Sequence, residues 1–274
     1  MLLFYLLIFI FGTFIGSFLN VLIDRPARGE TVVWGGSYCE KCRHKLAWHD
    51  LIPLFSYLRL GGRCRYCRSP IPFWLPVVEL TTGLTFVLIT YFFLPLGAID
   101  ELSLANVANL SFSYVLASLL LVIFFADLKY QLVYDQVVYA AVGLTLLYRL
   151  FPSPNYQLPT PNYSLLSALA ATLFFYLLYF LGPKIFHQDT MGLGDVELVF
   201  LMGIFLGYPK IIIALYLAFL TGALSGVILI LGKKAKMKSQ IPFGPFLVAS
   251  TFISWFFGEQ IWETVTRVLN LVKV

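Results

Sequence analysis

Polar residues are sparse along this chain and come in clumps. Between the clumps run apolar stretches at roughly 2–23, 74–95, 106–126, 136–152, 164–182, 196–208, 210–232 and 243–265. About twenty consecutive apolar residues make a helix long enough to cross a bilayer. The pattern therefore predicts an all-α polytopic membrane protein with about eight transmembrane helices. The run at 196–208 is short for a full crossing, which suggests a tilt or a start inside the membrane boundary. The first run, "LLFYLLIFIFGTFIGSFLNVLI", has no basic flank before it and is followed by arginine rather than a cleavage site. It reads as a retained first helix and not a secretory signal.

Composition supports that class. The chain has 274 residues, 59% hydrophobic and 12% charged, with a mean hydropathy of +0.84. A soluble domain is about half apolar and about a quarter charged, so a single soluble core is excluded. Charge then sets the expected orientation. Nine of the nineteen Lys and Arg fall in the loop 24–73, and "KKAKMKSQ" (233–240) holds four more. Basic loops stay cytoplasmic. With loop 24–73 inside, the N-terminus is outside, and segments 127–135, 183–195 and 233–242 are inside. Fifteen of the nineteen basic residues then lie inside, while the outer links near 96–105 and 153–163 hold none. Orientation alone explains the basic charge, so no nucleic-acid partner is expected.

All four cysteines sit in the inner loop, as "CEKC" (39–42) and "CRYC" (64–67), twenty-one residues apart. Reducing surroundings favour metal binding over disulfides. Paired Cys-x-x-Cys turns suit a tetrahedral zinc held by Cys39, Cys42, Cys64 and Cys67. His44 and His49 lie nearby, but four sulfurs already fill the shell. A closed Cys₄ site has no open position, so the zinc is expected to be structural. The predicted organisation is a first helix (1–23), a zinc-stapled cytoplasmic domain (24–73) and a transmembrane core (74–274).

The acids are the candidate chemistry. "FFADLKYQLVYDQ" puts Asp127 at the end of the third run and Asp135 at the start of the fourth. "HQDTMGLGDVEL" puts Asp189 before, and Asp195 after, the turn with Gly192 and Gly194. The topology brings all four aspartates to the inner face at helix ends. Ionisable groups at membrane depth are costly and mark functional sites by default. Two aspartates a few ångströms apart do not both ionise easily, so one keeps a proton. Such a pair can activate a water and protonate a departing amine. Proton relay or cation coordination in a transporter is the other functional reading, and helix capping the bland one. Capping suits Asp135, ahead of "QVVYAAV". It suits Asp127 badly, because a helix C-terminus disfavours negative charge. The two glycines relax the backbone and allow a chain to approach closely.

Taken together and in order, "GSFLNVLIDR" (16–25), the two Cys pairs, "DLIPLFSYLRLGGRCRYC" (50–67), "PVVELTTG" (76–83), "DLKYQLVYD" (127–135), "MGLGDVEL" (191–198) and "IPFGPFLVAS" (241–250) resemble the bacterial type IV prepilin peptidases, membrane aspartic proteases of the GxGD type. The resemblance implies a multi-pass protein of the bacterial inner membrane, surrounded by lipid. It implies an enzyme that removes the short basic leader of type IV prepilins or pseudopilins after a glycine, on the cytoplasmic face. It places the catalytic aspartates at Asp127 and Asp195, with Gly192, Gly194, Asp135 and Asp189 as supporting residues. It also implies N-methylation of the new N-terminus with S-adenosylmethionine, in a site suggested to lie in the basic loop. The chain departs from the family's pattern at Tyr134, where proline is common, and at Glu197, where lysine is usual. The first Cys pair lacks a frequent proline.

No Gly-rich dinucleotide-type fingerprint marks a methyl-donor pocket. An α-amine with a pKa of about 8 needs no strong base at neutral pH. Gly16, Ser17, Asn20 and Glu79 are small or polar residues at membrane depth, which helix packing and interhelical hydrogen bonds would explain. Asp189 and Glu197 are candidates to attract the leader's basic residues. The competing readings are a GxGD protease for another membrane peptide, a proton-coupled transporter and a zinc-stapled scaffold. A transporter should carry repeat symmetry and broken helices, and neither is visible in the sequence.

Overall fold

The protein is described from a computed structural model, for residues 2–94, 103–150, 161–186, 191–232 and 241–268. Asp189 and the basic segment 233–240 lie outside the described residues. Within them the regular structure is helical: α1 (Leu2–Ala27), α2 (Phe55–Arg59), α3 (Trp74–Phe93), α4 (Leu104–Tyr130), α5 (Asp135–Leu150), α6 (Pro161–Phe186), α7 (Leu193–Leu206), α8 (Lys210–Leu231) and α9 (Gly244–Val268). A helix occurs at each of the eight apolar runs. Five of them, α1, α3, α4, α6 and α8, are long and apolar enough to cross a membrane. The chain divides into two compact units, Met1–Phe125 and Ala126–Val274, and the boundary falls inside α4.

In the first unit α1 and α3 pack along their length. The contact is set by "GTFIG", in which Gly12 and Gly16 stand four residues apart on one face. A Cβ on Gly12 would lie 2.8 Å from Gly83 Cα, and one on Gly16 would lie 2.7 Å from Glu79 Cα. Only small residues let two membrane helices approach so closely. α1 continues past its apolar run into Asp24 and Arg25, and turns out at Gly29 with a φ of +70°. The Arg25 guanidinium then gathers the carbonyls of Thr31, Val32, Trp34, Gly35 and Gly36. One side chain thereby fixes the path of a loop with little apolar content. On α4, Tyr114 stacks on Phe86 of α3 with ring centroids 4.3 Å apart.

The second unit is built around α7. This helix is apolar on nearly every face, and Val196 and every residue from Leu201 to Leu206 are buried. A helix apolar all round belongs inside a bundle. Its 14 residues span about 21 Å at 1.5 Å per residue, short of a hydrocarbon core of about 30 Å. α5, α6, α8 and α9 pack against it. The α6–α7 contact is the tightest: a Cβ on Gly203 would fall 2.3 Å from Ala168 Cα. α7 ends at Gly207, whose φ of +62° breaks the helix before Pro209 starts the next.

Candidate active site and metal centre

Asp127 and Asp195 meet in the second unit, and local sequence explains how. α4 ends three residues after Asp127, at Tyr130, and the next residue, Gln131, takes a left-handed φ of +54° and its N–H caps the Asp127 carbonyl at 2.9 Å. The turn that follows carries Val133 onto Gly194. A Cβ on Gly194 would lie 2.7 Å from Val133 Cβ, so the turn can seat there only because Gly194 has no side chain. Asp195 is the next residue, in the first turn of α7. Both acids are buried, Asp127 to 6% and Asp195 to 8% exposure, and each carboxylate lies within the other's electrostatic reach.

Each acid also faces a helix N-terminus. Asp195 sits in the first turn of its own helix and accepts from the Gly192 N–H. Asp127 lies at the C-terminal end of α4, the unfavourable end for a negative charge. It is met there by the start of α9, where the Gly244 N–H points at its carboxyl. Phe243 occupies the cap of α9 and its carbonyl accepts from Phe246 and Leu247. Gly244 and Pro245 therefore form the first helical positions, a placement that suits proline. A Cβ on Gly244 would stand 2.6 Å from Asp127 Oδ2. Oδ2 itself is buried without a hydrogen-bond partner, an acceptor held open for a donor. Gly244 was not a site residue in the sequence reading; the signal was the Gly-Pro pair opening a helix in "IPFGPF".

The remaining sequence-based candidates divide. Gly192 caps α7 with an ordinary extended backbone, φ −80° and ψ 153°. An added Cβ there would meet only Asp195 Oδ2, at 4.0 Å. The reason for glycine at 194 is thus room, while at 192 neither a forbidden φ nor a close contact requires it. Asp135 is exposed and is the first helical residue of α5. Tyr134, whose carbonyl accepts from Val137 and Val138, holds the cap position in its place. Glu197 is two residues, hence about 200°, around α7 from Asp195. It accepts from Tyr139 on α5 at 2.6 Å.

The four thiols converge in the first unit. All four sulfurs lie within 4.8 Å of one another, and Cys39 and Cys67 are 3.8 Å apart. A tetrahedral zinc with Zn–S of about 2.3 Å sets its sulfurs about 3.8 Å apart, so the donor set fits. The two Cys-x-x-Cys turns share one conformation. In each, the residue after the second cysteine is left-handed: Arg43 and Arg68 both have a φ of +59°. In each, the N–H of that residue donates to the carbonyl of the first cysteine. Burial raises the Cys39 thiol, but the N–H groups of Cys42 and Lys41 and the Ser69 hydroxyl outweigh it and bring it to about 6. The Ser69 hydroxyl and N–H likewise lower Cys67. The His44 N–H favours the Cys42 thiolate, yet desolvation and the neighbouring sulfurs raise that thiol to about 11. Local hydrogen bonds therefore favour the thiolate form at two of the four sulfurs. His44 is not a ligand here and stacks on Tyr66.

Beside the thiols is a cavity of ≈ 440 Å³, lined by α1, the loop and the start of α3. Two of its lining cations are paired with its rim acids: Arg65 with Asp50 at 2.7 Å, and Arg28 with Asp24 and Glu40.

Fold and site together define a class: a multi-pass helical membrane protein with a buried aspartate pair and a four-thiol loop. Comparison with known proteins then assigns it. Residues 10–93 match the model for the bacterial peptidase A24 N-terminal domain, and residues 114–227 match that for the type IV leader peptidase family. A prepilin leader peptidase/N-methyltransferase of Aeromonas hydrophila is 30% identical, over 94% of this chain and 92% of its own. Proteins of the same name from Myxococcus xanthus and Pseudomonas aeruginosa are 33% and 28% identical. They cover 84% and 92% of this chain, and 64% and 90% of their own. No solved structure matches. The chain belongs to the type IV leader peptidase family.

Proposed function

We propose that this protein removes the leader peptide of type IV prepilins or pseudopilins after a glycine and then N-methylates the exposed residue. The observation that carries the first half is the pairing of Asp127 and Asp195 in one buried site. One carboxylate takes a proton from water, which attacks the scissile carbonyl; the other, protonated, donates to the departing nitrogen. The α9 N-terminus holds Asp127 from behind, and the space beside Gly192 admits an extended peptide over Asp195. No covalent intermediate is needed.

The cleavage site faces the cytoplasm of the bacterial inner membrane under this reading, with the N-terminus outside and α5, α7 and α9 completing eight membrane segments. Zinc is structural and staples the inner loop. S-adenosylmethionine supplies the methyl group. The cavity of ≈ 440 Å³ falls within the roughly 300–1,000 Å³ of small-molecule sites, and its mix of apolar walls and polar groups suits such a donor.

The test is mass spectrometry of a prepilin incubated with the protein in membranes and S-adenosylmethionine. Wild type should yield a leaderless product carrying one added methyl. Asp127→Asn and Asp195→Asn should each leave the substrate whole. Cleavage by either variant at the wild-type rate would end the two-aspartate reading.

A further inference from the structure

The cavity of the first unit has a floor whose chemistry the rest of its wall does not share. Asn20 on α1 and Glu79 on α3 both line it, at 6% and 8% exposure. Asn20 Nδ2 donates to the Leu75 carbonyl at 3.2 Å, which leaves Oδ1 buried with no partner. Glu79 Oε2 accepts the Leu54 N–H at 2.7 Å, and the Ser17 hydroxyl contacts the same carboxylate. Both of those donors are neutral. Among the described residues no Lys, Arg or His pairs with Glu79, whereas the rim cations Arg28 and Arg65 already have carboxylate partners.

A buried acceptor without a donor is destabilising, and a buried carboxylate without a cation is more costly still. Helix packing alone would not select this pair of groups. The floor asks for N–H donors carrying positive charge. The Leu54 backbone, at a φ of +58° in a residue that is not glycine, is held in its unusual conformation by the same carboxylate.

We propose that this floor is the amine subsite of the methyl-transfer centre: Asn20 Oδ1 and the Glu79 carboxylate accept the N–H bonds of the peptide's newly exposed N-terminal amine and aim its lone pair at the methyl donor. The assignment rests on the methyl-transfer reading above. The step balances without a further reactant. The neutral amine nitrogen attacks the sulfonium methyl carbon, the C–S bond breaks, and its electron pair stays on sulfur. The positive charge moves from sulfur to nitrogen, and the Glu79 carboxylate faces it throughout. The Asn20 amide presents its oxygen by a small turn about its soft terminal torsion.

The test uses the full-length protein in membranes and a leaderless peptide with a free N-terminal phenylalanine. Glu79→Gln keeps an acceptor for the Leu54 N–H but removes the charge; Asn20→Ala removes the amide. Each variant should raise the KM for the peptide amine about tenfold or more, the scale of one hydrogen bond to a charged group. Binding of S-adenosylmethionine, read by direct titration, should stay within about twofold. A shift in donor binding with an unchanged amine KM would overturn the proposal, because the floor would then hold the donor. A second arm needs no variant. On wild type the free-amine peptide with a non-transferable donor analogue should compete, and its N-acetylated form should not; equal competition would also overturn it. If wild type cleaves prepilin but transfers no methyl to any peptide, the methyl-transfer reading itself fails. If it transfers methyl and both variants keep the wild-type amine KM, only the subsite fails.

Discussion

Gly244→Ala is the sharpest perturbation of the aspartate site that leaves both aspartates in place. The added methyl would stand 2.6 Å from Asp127 Oδ2, 3.2 Å from Cγ and 3.4 Å from Cβ. Ordinary contact begins near 3.4 Å, so the oxygen or the start of α9 must retreat by about 0.8 Å. Asp127 cannot retreat freely, because it is buried and its α4 turn is pinned by the Val133–Gly194 contact. A displacement near 1 Å costs about a hundredfold in rate when the moved group is part of the chemistry, equal to about 2.7 kcal/mol of barrier. Alanine is also the better helix former, by up to about 1 kcal/mol, so the fold should survive. Cleavage of a prepilin, followed by gel or mass spectrometry at limiting enzyme, should fall by roughly that factor, while the thermal midpoint in detergent changes little. Gly143→Ala on α5, where an added Cβ meets nothing within 4 Å, is the matched control. Wild-type cleavage by Gly244→Ala would refute the claim that the α9 N-terminus holds Asp127 in its working position.

Three further outcomes follow from the same geometry. Cys64 is the buried sulfur of the cluster, so Cys64→Ser should release zinc, seen as loss of bound metal by elemental analysis, and expose loop 37–71 to proteolysis; retained stoichiometric zinc would contradict the four-sulfur site. Cys39 is drawn down to about 6 and Cys67 is lowered too, so the Cys39 thiolate exists above about 6 and is lost as pH falls through it. Zinc uptake by metal-free protein, followed with a competing chelator, should therefore hold well below the unperturbed thiol value of about 8.5 and fade near pH 6; a midpoint near 8.5 would remove the hydrogen-bonded thiolates from the argument. Gly203→Ala would put a methyl 2.3 Å from Ala168 Cα, and overpacking of this kind costs about 1–3 kcal/mol, which should appear as a lowered thermal midpoint.

Much of the frame was legible in the sequence because apolar run length maps directly onto helices, and each of the eight runs coincides with one. What the runs could not carry was which helix is interior. α7 is recognisable as short, but only its neighbours show that it is wrapped on nearly every side. The aspartates were legible as outliers in an apolar chain. The discomfort of Asp127 at a helix C-terminus was legible too, and its relief was not, since α9 begins 117 residues later. Gly192 and Gly194 were read as backbone freedom and as room for a close approach; Gly192 has an unexceptional φ, and Gly194 does serve a close approach, to Val133 of the same chain. The Gly12–Gly16 pair was present as a small-x-x-x-small pattern. Asn20 and Glu79 looked like packing polars because sequence does not show which acceptor lacks a donor.

The two proposed reactions have an order that chemistry imposes. Before cleavage, the nitrogen to be methylated belongs to a peptide bond, and its lone pair is delocalised into the carbonyl. It carries one N–H, not the donors that Asn20 and Glu79 are placed to accept. Hydrolysis creates the amine, its basicity and its charge in one step. A subsite made of one neutral acceptor and one carboxylate therefore discriminates product from precursor with no gate between the reactions. The same logic explains why the aspartate pair and the acceptor floor belong to different compact units. The first needs a shared proton between two acids, while the second needs an ionised acid beside an amine, and one carboxylate cluster would serve both poorly.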